Sequence, residues 1–329
     1  MPLSLYEIIS KLCCPDDQGP LRPKTDALEC QQCGRVFPVR EGEIIELLPE
    51  KPAATWSNPE YAANYSRLFS KRFENREEAI AWALYETRSP SWKRHRERQT
   101  RAVLALLQRD QTPLQDSILF DISAGAGNYT LAYAQYFKWV LHCDLSVDAL
   151  RHASAKCRRM GLENVLFLRV DYFALPFSRS IDHLLCLGTL IRGKDHEKFL
   201  LGQIQKALSP QGRAMIEFHH WWHNPLRRLG LFRQTFGKNR SYSRSGAERL
   251  MRECGIENWR LTRFHQELEP SSRFAKALAW LLPATCLMYE FGPNLSPAVR
   301  FHRTETGSSA RGRLNPPDDC RGMTRISDT

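Results

Sequence analysis

The stretch from Ile118 to Thr130 constrains this chain more than any other. Ile118, Leu119 and Phe120 lead into Asp121-Ile122-Ser123-Ala124-Gly125-Ala126-Gly127, and Asn128, Tyr129 and Thr130 begin a helical pattern. A β-type run, a glycine turn and a helix start, in that order, open a doubly wound α/β sheet. Gly125 and Gly127 let the backbone come close to a ligand at the helix N-terminus. The acid at the strand end narrows the kind of ligand. A dinucleotide would lay its pyrophosphate over this turn, where Asp121 repels it, and Thr130 stands where the third glycine of that pattern belongs. Asp121 suits a cationic ligand instead.

Further segments follow in order. Val140 to Cys143 read as a second strand ending at Asp144, about twenty residues past the glycines, the spacing at which a carboxylate meets ribose hydroxyls. Leu145 and Ser146 then open a helix. Asn164 to Val170 form a third strand ending in Asp171-Tyr172, followed by Leu175-Pro176-Phe177. Ile181 to Gly188 read as strand four, and Leu208 to Phe218 as a loop and strand five. This ordered set resembles the class I S-adenosylmethionine (SAM)-dependent methyltransferases over roughly Ser117 to Gly292, with Asp121 to Gly127 as their first motif. The resemblance implies an α/β fold with a doubly wound, seven-stranded Rossmann-like sheet. It implies SAM as cofactor, a ligand with an ammonium, a sulfonium and no phosphate. It also places Asp121, Ser123, Gly125, Gly127, Asp144, Leu145, Asp171, Tyr172 and Leu187 around that cofactor. Asp144 would hold the ribose hydroxyls, Asp171 would accept from the adenine amino group beside a packing Tyr172, and Leu187 and Gly188 would border the transferring methyl. Ser123 departs from the family, in which many members have glycine there; its β-carbon restricts the backbone and implies adjusted binding.

The N-terminal segment has its own pattern. Cys14-Pro15-Asp16-Asp17 and Cys30-Gln31-Gln32-Cys33-Gly34 look like two zinc knuckles, the first with one cysteine lost. The ligand set would be Cys14, Asp17, Cys30 and Cys33, with Cys13 as a substitute. Val36 to Pro49 continue as a β-hairpin ending. The segment is similar to the small zinc-ribbon-like activators of tRNA, rRNA and protein methyltransferases. A zinc site and a metal-free hydrophobic minidomain both fit these residues. A mobile recruiting arm and a packing appendage are the two roles open to it, the appendage being favoured.

Boundaries follow from composition. Residues 1–50 form the zinc-ribbon-like module, 51–110 a linker with lid helices, 111–293 the methyltransferase domain, and 294–329 a tail without periodicity that reads as disordered. Helical spacing recurs at Tyr61 to Phe73, Glu77 to Tyr85 and Ser91 to Leu107. The aromatics Tyr61, Tyr65, Trp82, Tyr85 and Trp92 on these segments fit a buried face better than a pocket. No N-terminal leader is evident, and the apolar run from Ala277 to Tyr289 is broken by Pro283 and too short to span a bilayer, so a cytoplasmic protein is expected. Of the ten cysteines, Cys143, Cys186 and Cys254 fall within expected core elements, as reduced thiols do. The net charge of +11 fits a solvated or membrane-proximal basic face better than an RNA surface.

Beyond strand five comes Phe218-His219-His220-Trp221-Trp222-His223. In open α/β sheets this position faces the ligand crevice. His219, His220 and His223 are therefore candidates for a general base, and Trp221 and Trp222 for pocket walls. Three histidines with no carboxylate among them make a poor zinc site. Ser243 to Cys254 read as a helix, Glu257 to His265 as strand six, and Thr285 to Phe291 as an antiparallel strand seven. Pro270 to Leu282 would be an insertion that touches a membrane surface or a hydrophobic acceptor. The expected activity is methyl transfer from SAM to a small-molecule or lipid-like acceptor. RNA methylation and an idle SAM-fold binding protein are the alternatives.

Overall fold

Short apolar runs between turn-forming residues set out the strands of this protein. The computed structural model describes residues 7–41, 43–51, 90–108, 113–190, 194–220, 241–264 and 286–295. Four N-terminal strands come first: β1 (Leu21–Pro23), β2 (Ala27–Cys30), β3 (Val36–Arg40) and β4 (Ile44–Leu47). The main sheet follows with β5 (Ile118–Ile122), β6 (Trp139–Asp144), β7 (Val165–Val170), β8 (Ile181–Leu190), β9 (Leu208–His219), β10 (Trp259–Phe264) and β11 (Cys286–Phe291). Helices α1 (Pro90–Leu107), α2 (Asn128–Tyr133), α3 (Val147–Arg159), α4 (Lys194–Ala207) and α5 (Arg244–Glu253) intervene. The order across the sheet is β1-β2-β3-β4-β7-β6-β5-β8-β9-β11-β10.

Strands β7, β6, β5, β8 and β9 are parallel neighbours, and β11 joins β9 antiparallel with β10 outside it. This is the seven-stranded doubly wound order expected from the sequence. The chain leaves β5 toward β6 on one side and returns to β8 on the other, so the strand order reverses at β5, where ligand crevices form in such sheets. Every residue of β5 is buried, which is why it reads as an unbroken apolar run apart from Asp121. Phe120 at its centre is fully buried, and truncating such a ring to alanine costs about 3–5 kcal/mol.

The helices begin and end where their sequence says. Ser146 caps α3 by accepting from the Ala149 N–H, and Ser243 caps α5 by accepting from Gly246. Gly255, at φ +77°, ends α5 in the left-handed conformation that glycine adopts most readily. Strand ends differ by a residue or two from the sequence reading: β8 runs on to Leu190, and β10 starts at Trp259 instead of Glu257. Among the described residues no helix is long and apolar enough to cross a membrane, and the cysteines are free thiols.

The hairpin expected at Val36 to Pro49 is present as β3 and β4, with Val39 opposite Ile45. Its second strand also pairs in parallel with β7, from Ile44 beside Phe167 to Leu47 beside Val170. The module thereby extends the main sheet instead of standing apart from it. Ile8, Ile9, Leu12 and Leu47 share one apolar cluster with Val170, Leu175 and Phe177. The Cys13 N–H donates to the Pro176 carbonyl at 2.9 Å. This continuous packing covers apolar surface of the main sheet.

Candidate functional site

The C-terminal ends of β5, β6 and β7 carry the three acids: Asp121 stands beside His142 of β6, Asp144 ends β6 beside Arg169, and Asp171 follows β7. Asp121 and Asp171 are buried, and Asp144 is half-buried. The turn between β5 and α2 is held by its neighbour strand: the Ala124 N–H donates to the Cys143 carbonyl at 3.0 Å, and the Gly125 N–H donates to Asp144 Oδ2 at 2.9 Å. The other Asp144 oxygen accepts from the Ser146 N–H at 2.8 Å. Each carboxylate oxygen keeps a second lone pair, so Asp144 can still accept from hydroxyls. Burial pushes its carboxyl above the ordinary range, while the amides of Ser146, Gly125 and Leu145 act the other way.

Backbone angles in the turn explain its composition. Gly125 sits at φ +58° and Gly127 at φ +82°. A β-carbon on Gly125 would meet no described atom within 4 Å, so that face of the turn is open, whereas one on Gly127 would come 3.2 Å from Ala153 Cβ. Ser123 is also left-handed, at φ +57°. A non-glycine residue there costs roughly 1–2 kcal/mol, the physical content of the family departure at this position.

Two polar side chains that the sequence reading does not assign to the site lie beneath the turn. Thr130 Oγ1 is 2.8 Å from Asp121 Oδ2 and 2.7 Å from His142 Nδ1, and His142 Nε2 is 3.1 Å from the Gly125 carbonyl oxygen. Burial pushes the His142 imidazole down to about 4, with the Gly125 carbonyl opposing. The available signal was a histidine inside an otherwise apolar strand, Val140-Leu141-His142-Cys143.

On β7, Asp171 Oδ1 accepts from the Phe173 N–H at 2.9 Å, and the half-buried Tyr172 meets His196 Nε2 through its hydroxyl at 3.0 Å. Arg169 donates from Nε to the Leu145 carbonyl at 3.1 Å and pairs with Glu46 of β4 at 2.8 Å. Burial alone would raise the Glu46 carboxyl; Arg169 and Arg40 outweigh it and hold it below its usual range. Leu187 is buried in an apolar cluster with Tyr129 and Met215, and Gly188 follows at φ +76°.

The histidine segment lies across the switch point. His219 ends β9 opposite Cys286, and its carbonyl accepts from the Tyr242 N–H at 2.8 Å. His220 bridges Tyr242, whose hydroxyl donates to the fully buried Glu197 at 2.5 Å. Burial lowers the pKa of His219, and Glu217 opposes the shift. Trp221, Trp222 and His223 lie outside the described residues, as do Tyr61, Tyr65, Trp82, Tyr85 and the insertion read at Pro270 to Leu282. The structure thus brings Asp121, Ser123, Gly125, Gly127, Asp144 and Leu145 to the ends of two adjacent strands, joined by the Gly125–Asp144 bond, sets Asp171 and Tyr172 just past the next strand, and places His219 and His220 two strands beyond β5 on the other side.

In the module, one ligand atom from each of Cys14, Asp17, Cys30 and Cys33 lies within 4.8 Å of the others. The Cys14 and Cys33 sulfurs are 3.8 Å apart, close to the edge of about 3.8 Å that a tetrahedron with 2.3 Å zinc–sulfur bonds requires. Gly19 lets the two knuckles close: a β-carbon there would come 2.9 Å from Cys30 Sγ and 2.7 Å from Gln32 Cβ. The Gly19 N–H, donating at 2.8 Å, holds the Asp17 carboxyl at about 2. Cys13 turns to Gln18 instead, at 3.1 Å. Three thiols and a carboxylate in this arrangement fit zinc.

The comparisons with known proteins match two segments of the chain. Residues 6–42 match the family described as Trm112p-like protein, and residues 119–212 match the family described as methyltransferase domain. An uncharacterized methyltransferase, YcgJ of Bacillus subtilis, is 28% identical over 109 residues; the match takes in 33% of this chain and 43% of the relative's own length. Among solved structures, the magnesium protoporphyrin IX methyltransferase ChlM of Synechocystis, with bound SAH, is similar with a TM-score of 0.47 at 16% identity, over 71% of this chain and 94% of that one. Phosphoethanolamine N-methyltransferase 2 of Haemonchus contortus is similar with a TM-score of 0.47 at 16% identity, over 70% of this chain and 59% of that one. The chain therefore carries a Trm112p-like module at residues 6–42 and a methyltransferase domain at residues 119–212.

Proposed function

We propose that this protein binds SAM at the ends of β5, β6 and β7 and transfers its methyl group to a small-molecule or lipid-like acceptor lodged beyond β8 and β9. The observation that carries the reading is the set of three acids ending three adjacent parallel strands beside an open glycine turn, with Asp144 bonded to that turn through Gly125. Asp121 offers a carboxyl to a cationic ligand, Asp144 offers spare lone pairs to ribose hydroxyls, and Tyr172 offers a half-buried ring beside Asp171 for adenine. SAM, when bound, supplies a methyl group already activated on sulfur. The chain's own task is then alignment: Leu187 and Gly188 border the reacting centre, and an acceptor proton passes to His219 or His220 where one must leave. Trp221 and Trp222 give the sequence that follows β9 an apolar character that suits a lipid-like acceptor. Cys14, Asp17, Cys30 and Cys33 would hold a structural zinc in the module. The Trm112p-like match favours RNA as the second reading of the acceptor.

Calorimetry with SAM, followed by transfer of labelled methyl to fractionated small-molecule, lipid and RNA extracts, tests this. Label entering the lipid or small-molecule fraction, reduced in His220→Ala with SAM affinity kept, supports the assignment. Absence of SAM binding refutes it, and label confined to RNA replaces the acceptor class.

A further inference from the structure

Thr130 and His142 have no part in the cofactor contacts above, yet they form a continuous hydrogen-bonded chain with one residue that does. Register sets it up, since Asp121 of β5 stands beside His142 of β6 and Thr130 reaches in from the first turn of α2. All three side chains are buried. The two contacts of Thr130 Oγ1, to Asp121 and His142, and the contact of His142 Nε2 with the Gly125 carbonyl each need one hydrogen. The hydroxyl brings one, a neutral imidazole brings one, and an ionised carboxylate brings none. A carbonyl only accepts, so Nε2 carries a hydrogen. If Asp121 is ionised it takes the hydroxyl hydrogen, Nδ1 must donate to Oγ1, and the ring is an imidazolium held against the burial that disfavours its charge. If the ring is neutral, Nδ1 takes the hydroxyl hydrogen and Asp121 must itself be protonated to donate to Oγ1. Both arrangements hold one proton beyond the ordinary complement.

The surroundings close the site off. From β7 the Phe167 ring packs on His142 at 5.4 Å, and Gly127 and Ala153 close the helix side. The titratable neighbours include Asp144, engaged by Gly125 and Ser146, Cys143, which as the next residue along its strand faces the opposite side of the sheet, and Cys186 of β8, a fully buried thiol near Asp121.

We propose that Thr130 and His142 are positioning residues for the cofactor turn, and that with Asp121 they form a relay that traps one proton and holds the Gly125 carbonyl. The proposal rests on the reading that this turn receives SAM. Gly125 is then gripped at both ends of its peptide plane pair, its N–H by Asp144 and its carbonyl by His142, so the left-handed turn is set before a ligand arrives and little ordering cost remains.

The test uses the full chain as wild type, Thr130→Val and Thr130→Ser. Valine keeps the shape and removes the hydroxyl; serine keeps the hydroxyl. Amide hydrogen exchange at residues 123–127 should be about tenfold faster in T130V, SAM affinity should fall about tenfold, and T130S should stay within about twofold of wild type. A T130V turn as protected as wild type, or a T130S turn as labile as T130V, overturns the proposal. Nitrogen-15 resonances of the His142 ring and the carbon-13 resonance of the Asp121 carboxyl in wild type at pH 7 decide it independently should T130V not fold. A doubly protonated ring or a protonated carboxyl supports the relay, and a neutral ring beside an ionised carboxylate refutes it. Hydroxyl-dependent protection in a protein that binds no SAM would leave the relay standing and sink the cofactor reading.

Discussion

Replacing Arg169 with methionine should loosen the module and the cofactor turn together. Methionine keeps the apolar stem of the arginine and removes two bonds, one to Glu46 on β4 at 2.8 Å and one to the Leu145 carbonyl at 3.1 Å. The Glu46 and Arg169 side chains are 11% and 24% exposed. A charged hydrogen bond contributes about 1.5–3 kcal/mol, and partial exposure to solvent trims this pair to about 1–2 kcal/mol. Glu46 also pairs with Arg40, so Glu46→Gln loses a further, more exposed contact. Denaturant unfolding of wild type, both single variants and the double variant closes a cycle in which the coupling should be about 1 kcal/mol. Because Leu145 lies between Asp144 and Ser146, SAM affinity in R169M should weaken by about two- to fivefold, measured by calorimetry. The pH dependence has a definite sign. The folded carboxyl of Glu46 is held below its ordinary value, so its contribution is complete above an unfolded value of about 4.3 and is lost as pH falls through the lower folded value. R169M should show less of that acid-side loss. Additive single variants with unchanged SAM affinity would refute a link running from β4 through Arg169 to the turn.

Three further perturbations separate cofactor, turn and metal. Asp144→Ala should weaken SAM binding by about 1.5–3 kcal/mol, roughly ten- to a hundredfold, and should also speed exchange at Gly125, whose N–H it leaves unbonded; unchanged affinity sinks the ribose assignment. Ser123→Gly relieves about 1–2 kcal/mol of left-handed strain against about 0.5–1 kcal/mol of added unfolded-chain entropy, so the melting temperature should hold or rise slightly; a clear drop would mean that the serine side chain contributes more than its backbone costs. Elemental analysis of untagged protein should find about one zinc per chain, and Cys33→Ser should lose most of it and melt lower; a metal-free protein with the same melting point would leave the module a hydrophobic minidomain.

The strand-end acids were legible because each stands at the end of an apolar run, Asp121 and Asp144 shortly before a helix start and Asp171 before a turn, a pattern local to a dozen residues. Ser123 was legible for the same reason, since a motif position normally free of a β-carbon carries one, and the φ of +57° found there is the strain that this implies. The seam between β4 and β7 was not legible, because pairing between strands so far apart in sequence leaves no local trace. The nearest sign was Ile44-Ile45-Glu46-Leu47, in which Ile44, Ile45 and Leu47 are all buried, a run apolar on both faces as befits a strand covered from both sides. The bonding of Thr130 with His142 was not legible, because a polar side chain inside an apolar element reads as an exception until its partners are in place. Cys13 was offered as a substitute zinc ligand on proximity in sequence alone; the turn that carries it points its sulfur at Gln18.

The seam also fixes an order of events during synthesis. Strand β4 leaves the ribosome long before its partner, because Ile44 must wait for Phe167. At about 5–20 residues per second the wait lasts about 6–25 seconds, during which one edge of β4 has nothing to pair with and the cluster around Leu12 and Leu47 lacks its other half. Ribosome-stalled chains that end before Val165 should be cut by protease near residues 44–47, and chains that extend past Phe177 should resist; equal resistance in both would mean that the N-terminal strands fold without the sheet they join. The second half of this protein is, on that view, the template on which the first half is finished.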